Sequence, residues 1–173
     1  MKFAEVICLQ ETWIEPHFSS TNVLEEDGWM QHNICLGRGR GVSTLFKGNF
    51  DYIAQVKNER FQMLKVASKE LDIINVYRSN NANTSQFLNE LLQLINLSNR
   101  TTIVGDFNLC FDSERSHPVF RFLENSKFKQ LVQNATHIKG RLIDLVFTNS
   151  PEEVIRVSQN GQYFSDHDLI TIY

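Results

Sequence analysis

The chain has 173 residues, 42% hydrophobic and 11% aromatic, enough for one domain with a real core and too little for two. Lysine and arginine number 17 against 20 aspartate and glutamate, a net charge of −3, which excludes a strongly basic nucleic-acid coat and leaves only local basic patches. The three cysteines, Cys8, Cys35 and Cys110, form no C-x-x-C pair, so neither a disulfide framework nor a thiolate zinc site is expected, and a reducing intracellular compartment is the default.

In chain order, the sequence enters core-like residues at once, Phe3-Ala4-Glu5-Val6-Ile7-Cys8-Leu9, with a first strand predicted over Val6–Leu9. Further β-type runs follow at Val42–Phe46, Tyr52–Val56, Phe61–Val66 and Leu71–Tyr77. Phe87, Leu88, Leu91, Leu92, Leu94 and Ile95 then recur at helical spacing behind the capping candidates Asn83 and Thr84, predicting a helix over Thr84–Leu97. Thr101–Val104 is the next strand, a short helix starts near His117-Pro118 with Phe120 and Leu123 buried, and another helix is expected over Lys127–Val132. Strands at Leu142–Phe147, Val154–Val157 and Leu169–Tyr173 complete the pattern. Ile73-Ile74-Asn75-Val76-Tyr77 and Thr101-Thr102-Ile103-Val104 are too continuously apolar for a strand with one wet face, so a sheet covered on both sides is implied. No apolar run is long enough to span a bilayer, and the Asn-x-Ser/Thr triplets at Asn83, Asn96, Asn99 and Asn134 read as coincidence in an asparagine-rich chain. One α/β domain over 1–173 is expected.

Polar residues suited to catalysis recur where apolar strands end. Glu11 follows Ile7-Cys8-Leu9-Gln10, and Asp106 and Asn108 follow Ile103-Val104-Gly105. Each alone is as readily a turn residue bonding its own backbone. Asp144 is different: flanked by Leu142, Ile143, Leu145 and Val146 it must be buried, and a buried carboxylate needs a partner, for which His167 in Ser165-Asp166-His167-Asp168 is the natural candidate. Such a pair fixes the imidazole tautomer and raises its basicity. Glu11 and Asp166 offer hard oxygen ligands without sulfur, favouring Mg²⁺ or Mn²⁺ over Zn²⁺. Metal, base and amide donors together describe phosphate-ester hydrolysis. Glu5, Glu15, Glu25, Glu26 and Asp27 read as solvated charges, and His17, His32 and His117 have no partner identifiable from sequence.

Taken in order, Leu9-Gln10-Glu11-Thr12, Gly39-Arg40-Gly41-Val42, Val76-Tyr77-Arg78-Ser79-Asn80, Gly105-Asp106-Phe107-Asn108, Ile143-Asp144-Leu145-Val146 and Ser165-Asp166-His167 resemble the Mg²⁺-dependent endonuclease/exonuclease/phosphatase superfamily, which includes DNase I and the abasic-site endonucleases. Asn134-Ala135-Thr136-His137-Ile138-Lys139-Gly140, Arg141 through Thr148 and Ser165 through Ile170 look like the endonuclease domain of non-LTR (LINE-type) retrotransposons of the CR1/jockey kind. The resemblance implies a two-sheet α/β sandwich with the site at one rim. It makes Glu11 the principal metal ligand, and it gives Tyr77 and Asn80 to the scissile phosphate and Asp106 with Asn108 to the attacking water or leaving group. Asp144 would orient His167 as base or electrostatic stabiliser, and Asp166 would support the metal or the histidine loop.

Family members begin with an Asn-bearing strand and a helix, of which Met1 to Glu5 would supply only the tail, so the resemblance implies that the first strand and most of the first helix are lacking. It further implies a DNA substrate nicked to a free 3′-hydroxyl, a reverse transcriptase region in a longer parent polypeptide, work on chromosomal DNA in the nucleus, and no membrane partner. Arg38, Arg40, Arg78, Lys139 and Arg141 are the candidate DNA contacts near the rim. The rivals are a phosphatase of the same superfamily acting on small phosphate esters, and an inactive remnant that binds DNA or protein.

Overall fold

A computed structural model describes residues 5–17, the backbone of 21–24, and residues 28–161 and 165–173. The expectations for Phe3, Ala4 and the charges Glu25, Glu26 and Asp27 fall outside the described residues. Glu5 and Glu15 are exposed, as solvated charges should be.

Three sheets organise the described residues. The first is four-stranded and antiparallel, with β1 (Val6–Gln10), β2 (Thr21–Leu24), β3 (Trp29–Ile34) and β4 (Val42–Phe46) in the order β1-β4-β3-β2. The second is six-stranded: β5 (Asp51–Lys57), β6 (Phe61–Ala67), β7 (Leu71–Arg78), β8 (Arg100–Asp106), β10 (Asp144–Thr148) and β9 (Lys129–Gln130), ordered β5-β6-β7-β8-β10-β9. The parallel β7–β8 pair is joined by a crossover carrying α1 (Thr84–Leu94). A small pair, β11 (Val157–Asn160) with β12 (Leu169–Ile172), closes the fold. Among the described residues no helix is long and apolar enough to cross a membrane.

Side chains of β6 and β7 alternate between two apolar clusters, as period-2 geometry requires. Phe61, Met63, Ile74 and Val76 join the cluster holding Phe87 and Leu91 of α1, whereas Leu64, Val66 and Tyr77 join Ile34, Val42 and Phe46 of the first sheet. The second sheet is therefore covered on both faces, a DNase I-like sandwich, which accounts for the continuous apolar runs. Asn75, wholly buried, joins the sheets: its Nδ2 donates to Ser43 O at 3.0 Å, Thr44 Oγ1 at 3.1 Å and Leu9 O at 3.3 Å, and its Oδ1 accepts from Gln10 Nε2 at 2.6 Å. A buried ion pair, Lys65 Nζ to Asp72 Oδ2 at 2.5 Å, also places Nζ 2.9 Å from Leu94 O, satisfying a terminal carbonyl of α1.

Local chemistry explains where the structure departs from expectation. Helix α1 starts at its Asn83 cap, which accepts from Gln86 N, but ends at Leu94 because Ile95 is already extended. Helix α2 (Pro118–Asn125) has Pro118 in its first turn and is capped by His117, whose Nδ1 accepts from Val119 N at 3.2 Å. His117 thus has a partner after all, as does His32, whose ring stacks on Tyr52 at 3.9 Å; His17 is not free either. The helix expected over Lys127–Val132 does not form. Lys127 takes a left-handed φ of 66° and, with Lys127 N bonded to Glu124 O and Phe128 N to Leu123 O, closes α2 in a Schellman motif, after which the chain becomes β9. The strand expected over Val154–Val157 is likewise displaced to Val157–Asn160, because Pro151 opens a 3₁₀ turn over Pro151–Glu153. Strands β2 and β3 are additional to the expected runs; in β3, Gln31, His32 and Asn33 break any apolar alternation, and Gln31 Nε2 instead donates to Asn33 Oδ1 at 2.9 Å and Ser43 Oγ at 2.8 Å.

Candidate active site

Three adjacent strands of the second sheet deliver Tyr77, Asp106 and Asp144 to one row. Tyr77 pairs with Asp106 in the parallel register and Asp106 with Asp144 in the antiparallel one. Gly105 makes the row possible: at φ 141° a Cβ there would stand 1.9 Å from Val76 O, so any side chain would force β8 off β7. Beyond the strand, Asn108 turns through φ 50° and donates its N–H to Asp106 Oδ1 at 2.8 Å and its Nδ2 to Oδ2 at 2.9 Å.

His167 reaches the row from the loop before β12. Its Nδ1 lies 2.8 and 3.0 Å from the two oxygens of Asp144, the pairing that burial of Asp144 demanded. The loop is sewn to segment 136–138 by Ile138 N to Asp166 O at 2.9 Å and Asp168 N to Thr136 O at 2.8 Å. Thr136 Oγ1 in turn accepts from Asp144 N at 3.0 Å. His137 packs edge-on against the His167 ring, centroids 4.7 Å apart, with Nε2 3.3 Å from Asp166 Oδ2. Neither Thr136 nor His137 was assigned a part from sequence, although both lie in the Thr136-His137 segment that carried the resemblance.

Glu11 leaves β1 in a left-handed conformation, φ 48°, and its carboxylate lies within electrostatic reach of the Tyr77 hydroxyl. Burial, then the Glu11 carboxylate and the charge of Asp106, raise the Tyr77 hydroxyl well above its ordinary range, so it stays a neutral donor. Asn80 is exposed in the turn after β7. Burial foremost, then the negative charge of Asp144, push Asp106 up to about 7; Glu11 adds to the rise, while Asn108 and His167 oppose it. The hydrogen bond to Asp144 raises His167 to about 9 against the opposing effect of burial.

Two groups of side chains could hold a cation among the described residues: Asp106, Asp144 and His167, and His137, Asp166 and His167. Glu11 joins neither group directly and enters the same electrostatic neighbourhood through Tyr77 and Asp106.

Of the basic candidates, Lys139 is exposed and Arg141 half-buried on the loop beside His137. Arg40 stands 3.8 Å from Glu59, and Arg38 lies over the Trp13 ring at 5.4 Å. Arg78 is a correction: it is buried, and its guanidinium donates to Ala82 O at 3.1 Å and Ser79 O at 3.3 Å, so it secures the turn into α1 and is not available to a phosphate.

Comparison with known proteins places this geometry. An AP endonuclease from Archaeoglobus fulgidus is similar in structure, with a TM-score of 0.69 at 17% identity over 98% of this chain and 88% of that one. The 3′ phosphatase NExo from Neisseria, bound to product DNA hairpin, gives a TM-score of 0.69 at 15% identity over 98% and 88% of the two chains. The cytolethal distending toxin from Actinobacillus actinomycetemcomitans gives 0.65 at 12%, over 98% and 85%. At these identities the likeness establishes the fold. No curated protein matches the sequence. A family model described as endonuclease-reverse transcriptase does match, over residues 71–171. That stretch is more than half the chain and runs from β7 into β12, so the protein belongs to this family, within the endonuclease/exonuclease/phosphatase superfamily of hydrolytic nucleases and phosphatases.

Proposed function

We propose that the chain is a divalent-metal-dependent DNA endonuclease that nicks target DNA for a non-LTR retrotransposon, leaving a 3′-hydroxyl for a reverse transcriptase. The observation that carries this reading is the Asp144–His167 pair standing next to Asp106 and its Asn108 clamp.

The residues suit a hard divalent cation. Burial first, and then the charges of Asp144 and Glu11, raise Asp106 against the opposing effects of Asn108 and His167, and such a gathering of oxygen donors fits Mg²⁺ or Mn²⁺. Glu11 is the proposed principal ligand, its charge acting on Asp106, with Asp166 joined to the site through His167. Held there, a divalent cation would supply neutralisation of phosphate charge and stabilisation of the leaving oxyanion.

The side chains supply the rest. Asp106, raised to about 7, is tuned to take a proton from water near neutral pH. Asn108 holds both its oxygens and so fixes which lone pair faces the water. His167, raised to about 9, is an imidazolium at neutral pH; with Nδ1–H donated to Asp144, its Nε2–H is left to stabilise negative charge on the phosphate. Tyr77, a neutral donor, and Asn80 are proposed phosphate contacts, and Arg38, Arg40, Lys139 and Arg141 contacts to flanking DNA. The test is purified protein with supercoiled plasmid and Mg²⁺, with EDTA and His167→Ala as controls. Metal-dependent nicking lost in the variant supports the endonuclease; hydrolysis of small phosphate esters without nicking would replace it with a phosphatase.

A further inference from the structure

Trp13 stands two residues beyond Glu11 and is 51% exposed, at φ 58°, a left-handed conformation uncommon for an aromatic residue. The conformation is built in. Trp13 N donates to Arg40 O at 3.1 Å, Thr12 N to Gly41 O at 3.3 Å and Gly37 N to Ile14 O at 3.0 Å, lacing residues 12–14 to the glycine turn. Gly41, at φ 99°, permits that approach, because a Cβ there would meet Ile34 O at 2.8 Å and Thr12 Oγ1 at 2.9 Å. The indole belongs to neither apolar cluster. Arg38 covers it with a guanidinium 5.4 Å from the ring centroid, and the charge of Arg40 is felt at the Tyr77 hydroxyl. Trp29, by contrast, is only partly exposed and has Lys47 over its ring at 4.7 Å.

We infer that Trp13, with Arg38 and Arg40, is a stacking platform for an unpaired nucleobase beside the scissile phosphate. The inference rests on the nucleic-acid reading of the site and adds to it a residue and a ligand chemistry. A large π-surface held rigidly by its backbone suits a base face, and two guanidinium groups suit the phosphates on either side of it; this combination favours single-stranded or locally opened DNA irrespective of sequence. Its position two residues from Glu11 puts the stacked base within a nucleotide or so of the bond to be cut.

The test uses the full chain in EDTA, so that binding is read without cleavage, and labelled single strands of equal length and charge that either carry bases or are abasic throughout. Wild type should hold the base-bearing strand roughly 5- to 100-fold more tightly than the abasic one, the range expected for stacking one base. Trp13→Ala should abolish that preference and Trp13→Phe retain part of it, while the salt dependence stays the same in all three. In a Trp29→Phe background, the Trp13 fluorescence should be quenched by the base-bearing strand alone, which tests the idea even if Trp13→Ala folds poorly. A wild type that nicks plasmid but ignores the bases, or a Trp13→Ala protein that keeps the preference, overturns the platform and leaves the endonuclease standing. A wild type that neither binds nor nicks DNA removes both, and would leave an exposed Trp13 to protein contacts.

Discussion

Asp106 and Asp144 face one another in register across β8 and β10, yet only Asp144 is met by an imidazole. Asp106 receives two amide hydrogens from Asn108. The two groups are therefore used differently: Asp144 lies against the imidazole of His167, while Asp106, raised first by burial and then by the charge of Asp144 against the opposing effects of Asn108 and His167, holds its proton up to about 7. Two carboxylates on neighbouring strands thereby acquire different chemical tasks.

The first prediction follows from that division. Asp144→Asn preserves shape but removes the charge that holds the imidazolium, so nicking should fall by roughly 10²- to 10⁴-fold, the range for loss of a positioned proton-transfer or charge-stabilising group. The imidazole titration of His167, followed by NMR, should move from about 9 down toward the ordinary 6.5. Full activity, or an unmoved titration, would show that the pairing does not govern His167.

Protonation also sets the stability of the metal-free protein. His167 is raised from 6.5 to about 9, so its contribution is complete below pH 6.5 and is lost as pH climbs through about 9. Asp106 is raised from 3.8 to about 7, so the native state binds its proton more tightly than the unfolded chain does, and stability declines between those values, where the unfolded carboxylate has ionised and the buried one has not. Both effects run the same way. In EDTA, Tm should fall from pH 4 to pH 9 more steeply for wild type than for Asp106→Asn, and saturating Mn²⁺ should raise Tm more at pH 8 than at pH 5 because it competes with protons. Equal Tm slopes in the two proteins would contradict the assignment.

The basic residues divide by burial. Arg38→Ala, Arg40→Ala and Lys139→Ala should each weaken DNA binding and lower the dependence of log K on log salt by about one. Arg78→Ala should leave that slope alone and instead lower stability by roughly 2 to 3 kcal/mol, because the carbonyls of Ala82 and Ser79 lose a charged donor. Salt titrations alongside urea unfolding separate the two classes, and a reduced salt slope for Arg78→Ala would return that residue to the DNA surface.

What was legible in the sequence was whatever one strand or one motif carries by itself. The apolar runs of β7 and β8 announced a sheet buried on both faces, and Asp144 amid Leu142, Ile143, Leu145 and Val146 announced a partnered carboxylate, found 2.8 Å from His167. What escaped depends on relations between distant segments. Asn75 looks like one polar residue in an apolar strand, and its work of joining β1 and β4 to β7 exists only once the sheets pack. Arg78 sits in the Tyr77–Asn80 motif and faces Phe87 of α1, which no local pattern reveals. Lys127 ended a helix in a left-handed conformation where glycine would have advertised the stop.

His137 provides the last prediction. Lys139 N donates to its Nδ1 at 3.0 Å, so that Nε2 is the ring nitrogen turned to Asp166 Oδ2, 3.3 Å away. That polar contact, with the ring edge against His167, holds the Ser165–Asp166–His167 turn over Asp144. His137→Ala frees the turn, and nicking should fall roughly tenfold, the lower end of what loss of an orienting partner costs. His137→Gln keeps a donor for Asp166 and should recover much of the rate. A purely structural role would lower Tm in proportion to rate in both variants and leave the pH profile unmoved. A positioning role should instead shift the upper limb of the pH–rate profile downward in His137→Ala, because a looser His167 loses part of the hydrogen bond that raises it. Wild-type rate and profile in His137→Ala would remove His137 from the site.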